Sequence, residues 1–476
     1  MWRILAAGKG ALAKNHIRQS EKRVLGPASL SSRRAPREGA FLMRRCMALA
    51  LACGAYAAPP LTCVTSKNYM NAQYTVEVQV GSPPQIMDAV PDTGSFELIL
   101  ASTGCEGCAP HKLFDRDQSK SFANRGDIVE THFGQGRVRS QVHYDRVVLG
   151  NLQVPRQSVL LMQQNELRGF AEASYDAVMG LGMQTHARSN DTDLSLMSSL
   201  GTNTVGVCYG QRDGDPGRLQ VGGGIPGLTY MQFPVIGDLH WAIRLDGMSV
   251  GGGPSLSCDG PPHCSAIIDS GTSLIAVPAA TLDQLLLTIG DVNPDCSNID
   301  SLPTLHMQLG GHTLELPPQL YVAKLKDVEE EQTVGWGMFK FPFKTGRLVE
   351  ACLPLFMEMD MTTALHGPVW ILGMPFLRAY SATFNRDRRE IGLAQLPLGS
   401  DLCTHCNDAP VGPPSSHARG GHAIQTLTPT DSHLLMKKHP PFKPSVMSFK
   451  NLMLPTWALR MGPTEAKAPR RHVLHL

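Results

Sequence analysis

Short apolar runs that alternate with polar residues recur along the middle of the chain. The segment Tyr74–Val80 alternates in this way and stops at Gly81-Ser82-Pro83-Pro84, as a half-exposed strand does where it enters a turn. Similar runs, broken by Gly, Pro or Asn, continue to about Leu398. Helical periodicity is scarce, and Thr281–Ile289 is its clearest case. The pattern predicts an all-β architecture with a few short helices.

The N-terminal region has the pattern of a targeting signal. Arg44-Arg45 follow Met43, an apolar run fills residues 46–53, and Ala55-Tyr56-Ala57 supplies small residues. These are the three parts of a secretory signal peptide, so residues 1–57 are predicted to be an N-terminal extension with the signal at 43–57. We expect translation to start at Met43; with a start at Met1, the basic residues before Met43 would be a signal-anchor extension or an organelle presequence. The apolar run is shorter than the ~20 residues that a membrane-spanning helix needs, so no transmembrane segment is expected.

The other end also differs from the middle of the chain. Residues 399–476 are rich in Pro, Ser, His and basic residues and show no sustained period, which predicts a mostly disordered tail. Eleven Lys/Arg and two acids lie in residues 1–58, and nine Lys/Arg and four acids in residues 399–476. The remaining 23 bases and 35 acids give residues 59–398 an acidic balance. This argues against nucleic acid as a partner, although the chain as a whole carries +2.

Ten cysteines follow Ala57, and in a secretory chain they predict several disulfides. A Gly-Pro-Pro turn between Cys258 and Cys264 favours a bridge there, Cys105 and Cys108 can close a tight loop, and Cys296 has Cys352 as a plausible partner. Four cysteines stay unassigned: Cys63, Cys208, Cys403 and Cys406. The two C-x-x-C pairs, with His405 nearby, could hold zinc, but they lie almost 300 residues apart, so no metal is expected. Asn190-Asp191-Thr192 is a glycosylation sequon in a polar loop.

A short motif occurs twice in the core. Asp92-Thr93-Gly94-Ser95 and Asp269-Ser270-Gly271-Thr272 lie 177 residues apart, each among apolar neighbours. Each is followed, some 85 to 105 residues later, by two apolar residues and a glycine, at Val178-Met179-Gly180 and Ile371-Leu372-Gly373. Two copies of one internal plan would produce this spacing.

Two such aspartates suit peptide hydrolysis. If Asp92 and Asp269 come within hydrogen-bonding distance, they cannot both ionise, and they share one proton. The ionised member can then take a proton from a water molecule while the neutral member donates to the scissile carbonyl oxygen. No cofactor, metal or covalent intermediate is needed.

The residues that flank the two aspartates have matching roles. Gly94 and Gly271 allow the backbone to turn and aim N–H groups at the carboxylates. Ser95 and Thr272 can hydrogen-bond the outer carboxylate oxygens. The remaining pair, Thr93 and Ser270, can tie the two loops together.

With these motifs the core, from about Tyr74 to Leu396, resembles the pepsin family of bilobal aspartic proteases. The segments that carry the resemblance are Tyr175–Gly182, Trp241–Gly247, Cys296–Tyr321, Trp370–Gly373 with Phe376–Arg378, and Phe384–Ala394. The resemblance implies two pseudo-symmetric lobes, at residues 58–235 and 236–398, with a cleft between them. It also implies that Asp92 and Asp269 are the catalytic pair and supports the Cys296–Cys352 bridge.

The resemblance places a hairpin flap at residues 131–137, with Phe133 and Gly134 contacting substrate. Family members usually have a tyrosine in the flap that bonds a tryptophan, but this chain has Phe133 and Ile99. Removing both partners of a hydrogen bond costs less than stranding one of them, so an apolar but looser flap contact is expected. Pro91 and Met374 also replace usual residues. Cleavage after Ala57 leaves about 16 residues before Tyr74, too few for the basic prosegment of the family. Either the enzyme needs no such segment, which we expect, or the basic N-terminal region takes its place without signal cleavage.

The sequence therefore predicts a monomeric aspartic endopeptidase that cuts polypeptides with apolar residues around the scissile bond. Its expected location is the secretory pathway, either outside the cell or in an acidic vacuole- or lysosome-like compartment. The alternative is a pepsin-like protein that binds peptides or proteins with weak or no cleavage. A structural β-sandwich with accidental Asp-Thr-Gly turns is a third reading, and the paired motifs oppose it.

Overall fold

The computed structural model describes residues 61–134, 136–183, 195–336, 339–359, 361–363, 365–406, 446–448 and 472–474, with no side-chain description for 327–346, 446–448 or 472–474. These residues form mostly strands, which confirms the all-β prediction. The strands up to Gly180 are β1 (Thr62–Tyr69), β2 (Gln73–Val80), β3 (Gln85–Asp92), β4 (Leu98–Leu100), β5 (Ala123–Phe133), β6 (Gly136–Leu149), β7 (Leu152–Asn165) and β8 (Ala177–Gly180). The chain enters its first strand at Thr62, earlier than the alternating pattern indicates.

The later strands fall into two groups, before and after the hairpin that begins at Val322. The first group is β9 (Thr204–Cys208), β10 (Gly217–Val221), β11 (Met231–Pro234), β12 (Ala242–Val250), β13 (Ser255–Ser257), β14 (Cys264–Ile268), β15 (Ile275–Val277), β16 (Leu305–Leu309) and β17 (His312–Leu316). The second is β18 (Val322–Trp336), β19 (Phe339–Pro354), β20 (Phe356–Glu358), β21 (Met361–Thr363), β22 (Gly367–Leu372), β23 (Tyr380–Asn385), β24 (Glu390–Gln395), β25 (Val446–Ser448) and β26 (His472–Leu474).

The described α-helices are short: α1 (Leu196–Ser199), α2 (Ala279–Ile289), α3 (Pro318–Tyr321) and α4 (Met374–Ala379). Single 3₁₀ turns occupy Arg116–Gln118, Phe170–Glu172 and Ile299–Ser301. The helix expected from periodicity is α2. Its buried residues are Thr281, Leu285 and Ile289, which recur every four positions along one face. It ends at Gly290, whose φ of 85° suits a residue without a side chain.

Two large sheets and one small sheet contain these strands. The first runs in the order β11-β24-β23-β9-β10-β1-β2-β3-β8-β4-β7-β6-β5. The second runs β17-β16-β12-β14-β22-β15-β20, with β13 on β12, and with β21 and then β26 beyond β22. The small sheet is β19-β18-β25. In the described part of the chain, no helix is both long and apolar enough to cross a membrane.

One five-strand arrangement occurs in both large sheets. It is β2-β3-β8-β4-β7 in the first and β12-β14-β22-β15-β20 in the second. The directions agree strand by strand: antiparallel for β2–β3 and β12–β14, parallel for β3–β8 and β14–β22, antiparallel for β4–β8 and β15–β22, parallel for β4–β7 and β15–β20. We call these the first repeat and the second repeat. The duplication inferred from the motifs is thus a duplication of strand topology.

Strands from late in the chain join the first sheet. β23 pairs antiparallel with β9, with Ala382 opposite Val207, and β24 connects β23 to β11. The chain therefore leaves the second repeat after β22 and returns to strands that precede it in sequence. A sheet assembled in this way is held by long-range pairing, and it fixes the ends of the two repeats to one another.

Five disulfides reinforce this arrangement. Cys105–Cys108, Cys258–Cys264 and Cys296–Cys352 are the pairs that the sequence suggested. The four unassigned cysteines pair as Cys63–Cys406 and Cys208–Cys403. The C-x-x-C pairs are thus oxidised, and they offer no thiolates to zinc.

The two bridges at the C-terminal end correct one predicted boundary. Composition placed the start of a mostly disordered tail at residue 399, yet residues 399–406 are described, and Cys403 and Cys406 are joined to β9 and β1. The folded part therefore continues at least to Cys406. The predicted signal at 43–57, the sequon at Asn190 and most of the tail lie outside the described residues.

The disulfides predict a difference in stability. Cys208–Cys403 spans 195 residues, whereas Cys258–Cys264 spans 6. In the chain-entropy model, the longer loop stabilises the folded state by about 3 kcal/mol more than the shorter one. The double substitution Cys208→Ser/Cys403→Ser should therefore lower the urea midpoint far more than the control Cys258→Ser/Cys264→Ser. Equal shifts of the two midpoints would contradict this account.

Candidate active site

Asp92 and Asp269 occupy the same place in the two repeats. Asp92 ends β3 and Asp269 directly follows β14, the equivalent strand, and both side chains are fully buried. The backbone turns after each residue, so that an amide two positions on points back at the carboxylate. The Gly94 N–H donates to Asp92 Oδ1 at 2.9 Å, and the Gly271 N–H donates to Asp269 Oδ1 at 2.8 Å.

A hydroxyl donates to the second oxygen of each carboxylate. Ser95 Oγ lies 2.5 Å from Asp92 Oδ2, and Thr272 Oγ1 lies 2.5 Å from Asp269 Oδ2. Each buried carboxylate therefore receives one amide and one hydroxyl from its own loop. Hydrogen bonds of this kind offset the loss of hydration that burial imposes on a charged group.

The two loops are also tied to each other. The Thr93 N–H donates to Ser270 Oγ at 3.0 Å, and the Ser270 N–H donates to Thr93 Oγ1 at 3.0 Å. Each hydroxyl in turn donates a hydrogen bond to a backbone carbonyl of the opposite repeat, Thr93 Oγ1 to the Ile268 carbonyl at 2.8 Å and Ser270 Oγ to the Pro91 carbonyl at 2.7 Å. These four hydrogen bonds, which we call the Thr93–Ser270 lock, fix the separation of the two aspartates.

The two carboxyl groups lie close enough to affect each other's ionisation. Gly94 borders Asp269 directly, since a Cβ on this glycine would lie 2.8 Å from Asp269 Oδ1. The pKa of Asp269 is well above its usual value, first because of burial and then because of the negative charge of Asp92. Such a pair retains a proton at pH values where an isolated aspartate is ionised.

The glycines of the two downstream motifs have a packing role that the sequence did not explain. A Cβ on Gly180 would lie 2.4 Å from the Phe96 carbonyl carbon. On Gly373 it would lie 2.2 Å from the Leu274 carbonyl oxygen. In each repeat, the loop that follows the aspartate passes over the end of the middle strand, which is β8 in the first repeat and β22 in the second. Only glycine at this position leaves room for the loop.

The predicted flap is the hairpin of β5 and β6, with Phe133 opposite Gly136 and with Gly134 in the turn between them. Phe133 is only 8% exposed. It belongs to a buried apolar cluster that also contains Ile99, Phe170 and Tyr175. The two residues that replace the usual hydrogen-bonded pair thus lie in one apolar cluster.

Two further contacts between the repeats were not foreseen from the sequence. Trp241 Nε1 donates to the Leu181 carbonyl at 2.8 Å, and Ser273 Oγ donates to the Ala72 carbonyl at 2.6 Å. Both are buried side chains that bond a carbonyl distant in sequence. Ser273 directly follows the second motif, but nothing local in the sequence identifies its partner. In the described part of the chain, no group of three or more His, Cys, Asp or Glu side chains is placed to hold a metal ion.

Comparison with known proteins identifies the family of the chain. The family model described as eukaryotic aspartyl protease matches residues 73–396. The chain belongs to the eukaryotic aspartyl protease family. The match covers almost the same span as the resemblance noted in the sequence, which confirms that assignment and the pepsin-like fold.

Named relatives are consistent with that assignment. Gastricsin of Rattus norvegicus is 30% identical over 344 residues, which is 68% of this chain and 81% of the relative. Cathepsin D of Mus musculus is 28% identical over 360 residues, covering 69% and 82% of the two chains. Renin-2 of Mus musculus is 29% identical over 356 residues, covering 70% and 81%. The protein is by class an aspartic endopeptidase.

One buried histidine near the site affects how this aspartyl protease responds to acid. His240 is 3% exposed, and its ring lies 5.6 Å from that of Phe96, which follows the first motif. Its Nδ1 has no hydrogen-bond partner among the described residues. Burial lowers the pKa of His240 to about 4. The folded protein therefore holds this imidazole neutral at pH values where an unfolded chain would protonate it.

This histidine predicts a loss of stability in acid. Because the folded-state pKa is the lower one, the unfolded state binds more protons between pH 6.5 and about pH 4, and the free energy of unfolding should fall by about 3 kcal/mol across that range. His240→Phe should remove this part of the pH dependence in urea titrations, whereas His366→Gln, a partly exposed control, should not. Parallel pH curves for the wild type and the His240→Phe variant would contradict the assignment.

Proposed function

We propose that this protease hydrolyses peptide bonds with a water molecule held between Asp92 and Asp269. The ionised carboxylate takes a proton from the water as its oxygen attacks the scissile carbonyl carbon. The neutral carboxyl donates its proton to the carbonyl oxygen, and a tetrahedral intermediate forms. In its collapse, the carboxyl that took the water proton gives it to the amine nitrogen, the C–N bond breaks, and a hydroxyl of the intermediate returns its proton to the other carboxylate. No covalent enzyme intermediate is required.

The observation that carries this proposal is the matched set of donors around the two carboxylates. Each aspartate accepts one hydrogen bond from a backbone amide and one from a hydroxyl, so the two loops supply the same types of donor. A symmetric site can exchange roles between its two members, because either carboxyl can be the proton donor or the acceptor. The raised pKa of Asp269 supports a dyad that holds one proton in mildly acidic solution.

Apolar side chains around the cut are the proposed preference. The buried cluster with Phe133 on the flap side includes Val90, which precedes the first motif by two residues, and Phe170. We infer that this cluster is the wall of the primary specificity pocket. An apolar wall favours aromatic and aliphatic side chains, because burying their apolar surface stabilises the complex by about 25 cal/mol per Å² removed from water.

A secretory location is also part of the proposal. Five disulfides, two of which join segments 343 and 195 residues apart, are stable in an oxidising compartment and rare in the cytosol. The extracellular space or an acidic vacuole- or lysosome-like compartment fits both these bridges and a dyad that needs a proton. Polypeptides are the proposed partners of a monomeric enzyme.

The apolar flap favours one competing function. A protein with Phe133 and Ile99 in place of a hydrogen-bonded pair can hold a peptide without aligning it for attack. The complete sets of donors to the two aspartates weigh against this, since they serve proton transfer and are not needed for binding. The direct experiment below separates the two possibilities.

The dyad is tested by removing one ionisable group at a time. The purified full chain is assayed on a quenched peptide library from about pH 3 to pH 7, beside Asp92→Asn, Asp269→Asn and the exposed control Asp283→Asn. We expect each dyad variant to lose at least ~10³-fold in kcat, because an amide can neither take the water proton nor donate as an acid. The control should retain wild-type activity. Cleavage that survives either dyad substitution would refute the mechanism, and an inactive wild-type chain would favour the binding protein.

The hydroxyl at Thr272 gives a second prediction. Its hydrogen bond to Asp269 favours the ionised form and holds the pKa of this buried carboxyl lower than it would otherwise be. Thr272→Val removes the donor at nearly constant volume, so both limbs of the pH–kcat/KM profile should move to higher pH. Thr272→Ser keeps the hydroxyl and should leave the profile in place. A profile that does not move in the valine variant would show that this bond has no effect on the dyad.

A further inference from the structure

The tip of the flap is bordered by a third segment as well as by its own two strands. Val138 of β6 pairs with Asn165 at the end of β7. The Glu166 N–H continues this ladder by donating to the Arg137 carbonyl oxygen at 2.9 Å. Gly136 approaches the same segment so closely that a Cβ on it would lie 2.2 Å from the Glu166 carbonyl oxygen. The outer edge of the flap tip therefore rests on the segment that follows β7.

Charged side chains reinforce this contact. Arg137 Nε lies 2.7 Å from Glu166 Oε2 and Arg137 Nη2 lies 3.0 Å from Glu166 Oε1, a bidentate pair. On the neighbouring strand, Glu130 Oε1 lies 3.8 Å from Arg137 Nη1 and 2.8 Å from His132 Nε2. The charges thus alternate in sign from β5 across β6 to the segment after β7.

The segment that carries Glu166 is itself anchored. The Glu106 N–H donates to the Gln163 carbonyl at 3.0 Å, and the Asn165 N–H donates to the Glu106 carbonyl at 2.9 Å. Asn165 Nδ2 also donates to the Gly107 carbonyl at 3.2 Å. Both Glu106 and Gly107 lie within the loop that the Cys105–Cys108 disulfide closes. Glu166 therefore belongs to a braced support, and Arg137 belongs to the hairpin tip that this support borders.

The inner side of the flap cannot supply an equivalent restraint. Phe133 and Ile99 share an apolar cluster, and apolar packing has no preferred direction. A bidentate guanidinium–carboxylate pair does have one, because both donor–acceptor bonds must align. The orientation of the tip is thus fixed on its outer side.

We propose that Arg137 and Glu166 are a positioning pair that holds the flap in the register needed to close over a bound polypeptide. The proposal rests on the proposed function, since it assigns the flap a role in substrate binding. Neither residue is a catalytic residue. The pair acts through Phe133 and Gly134, which lie at the tip of the same hairpin.

The pair remains charged in mildly acidic solution. Arg137 holds the pKa of the Glu166 carboxyl below its usual range. The charged and titratable side chains around the pair are those of Glu130 and His132 on β5, Arg139 on β6, and Glu106 on the neighbouring loop. Because the pair is roughly half exposed, salt screens it, and its effect is of the size of a well-aligned surface ion pair.

Kinetics on the full chain test the proposal. Glu166→Gln and Arg137→Gln should each raise KM by about two- to five-fold and leave kcat nearly unchanged. Added salt should raise the wild-type KM toward the values of the variants, whose KM should respond little. Arg137→Glu should raise KM further, and the exchange Arg137→Glu/Glu166→Arg should restore it. Glu350→Gln, which removes an exposed cross-strand pair with Lys324 at 2.6 Å on another hairpin, is the matched control.

Hydrogen exchange gives a readout that does not require activity. Amides of residues 128–140 should exchange faster in Glu166→Gln, while those of β9 should not change. If the flap amides exchange faster in Glu166→Gln but the wild-type chain cuts no peptide, the positioning role of the pair is supported and only the proposed function is contradicted. An unchanged KM, or failure of the exchanged pair to restore it, together with unchanged flap exchange would overturn the proposal.

Discussion

The structure depends on one electrostatic problem, which is how to keep two carboxyl groups buried beside each other. Burial and mutual repulsion both disfavour two charges, so the pair retains a proton. The remaining charge needs donors that do not move, because a buried carboxylate without them is costly. Asp92 and Asp269 obtain these donors from their own loops, and the Thr93–Ser270 lock fixes the distance between them. Chemistry and stability therefore require the same hydrogen bonds.

Repetition of one five-strand plan is the structural answer to that problem. A single repeat can orient one aspartate, but a pair with matched surroundings needs two repeats facing each other. Long-range elements then hold the repeats in place, with β23 and β24 returning to pair with β9 and β11, and with Cys403 and Cys406 tied back to β9 and β1. The disulfides and the returning strands act on the same sheet, so the last described residues of the core stabilise its first strands.

Acid has opposite effects on the two aspartates and on the buried histidine near them. A proton-sharing pair is favoured by acid, whereas the buried imidazole of His240 is protonated at a cost to the folded state when the pH approaches about 4. The flap adds a third ionic element on its outer face, where Arg137 and Glu166 remain charged under the same conditions. We therefore expect the acid limit of the folded protein to depend on His240 as well as on the two aspartates.

The sequence alone was sufficient to predict the all-β class, the duplicated motif, the short-range pairs Cys105–Cys108 and Cys258–Cys264 and the family, because strand alternation, turn residues and short motifs are local. The Cys296–Cys352 pair, 56 residues apart, was supported by the family resemblance. It also indicated the residue types that would surround each aspartate. It could not predict the Cys63–Cys406 and Cys208–Cys403 bridges, the return of β23 and β24, or the contacts of Trp241 and Ser273. Those depend on which distant segments meet. Gly180 and Gly373 show the same division: the motif placed them, but only the packed aspartate loops explain why a Cβ is excluded.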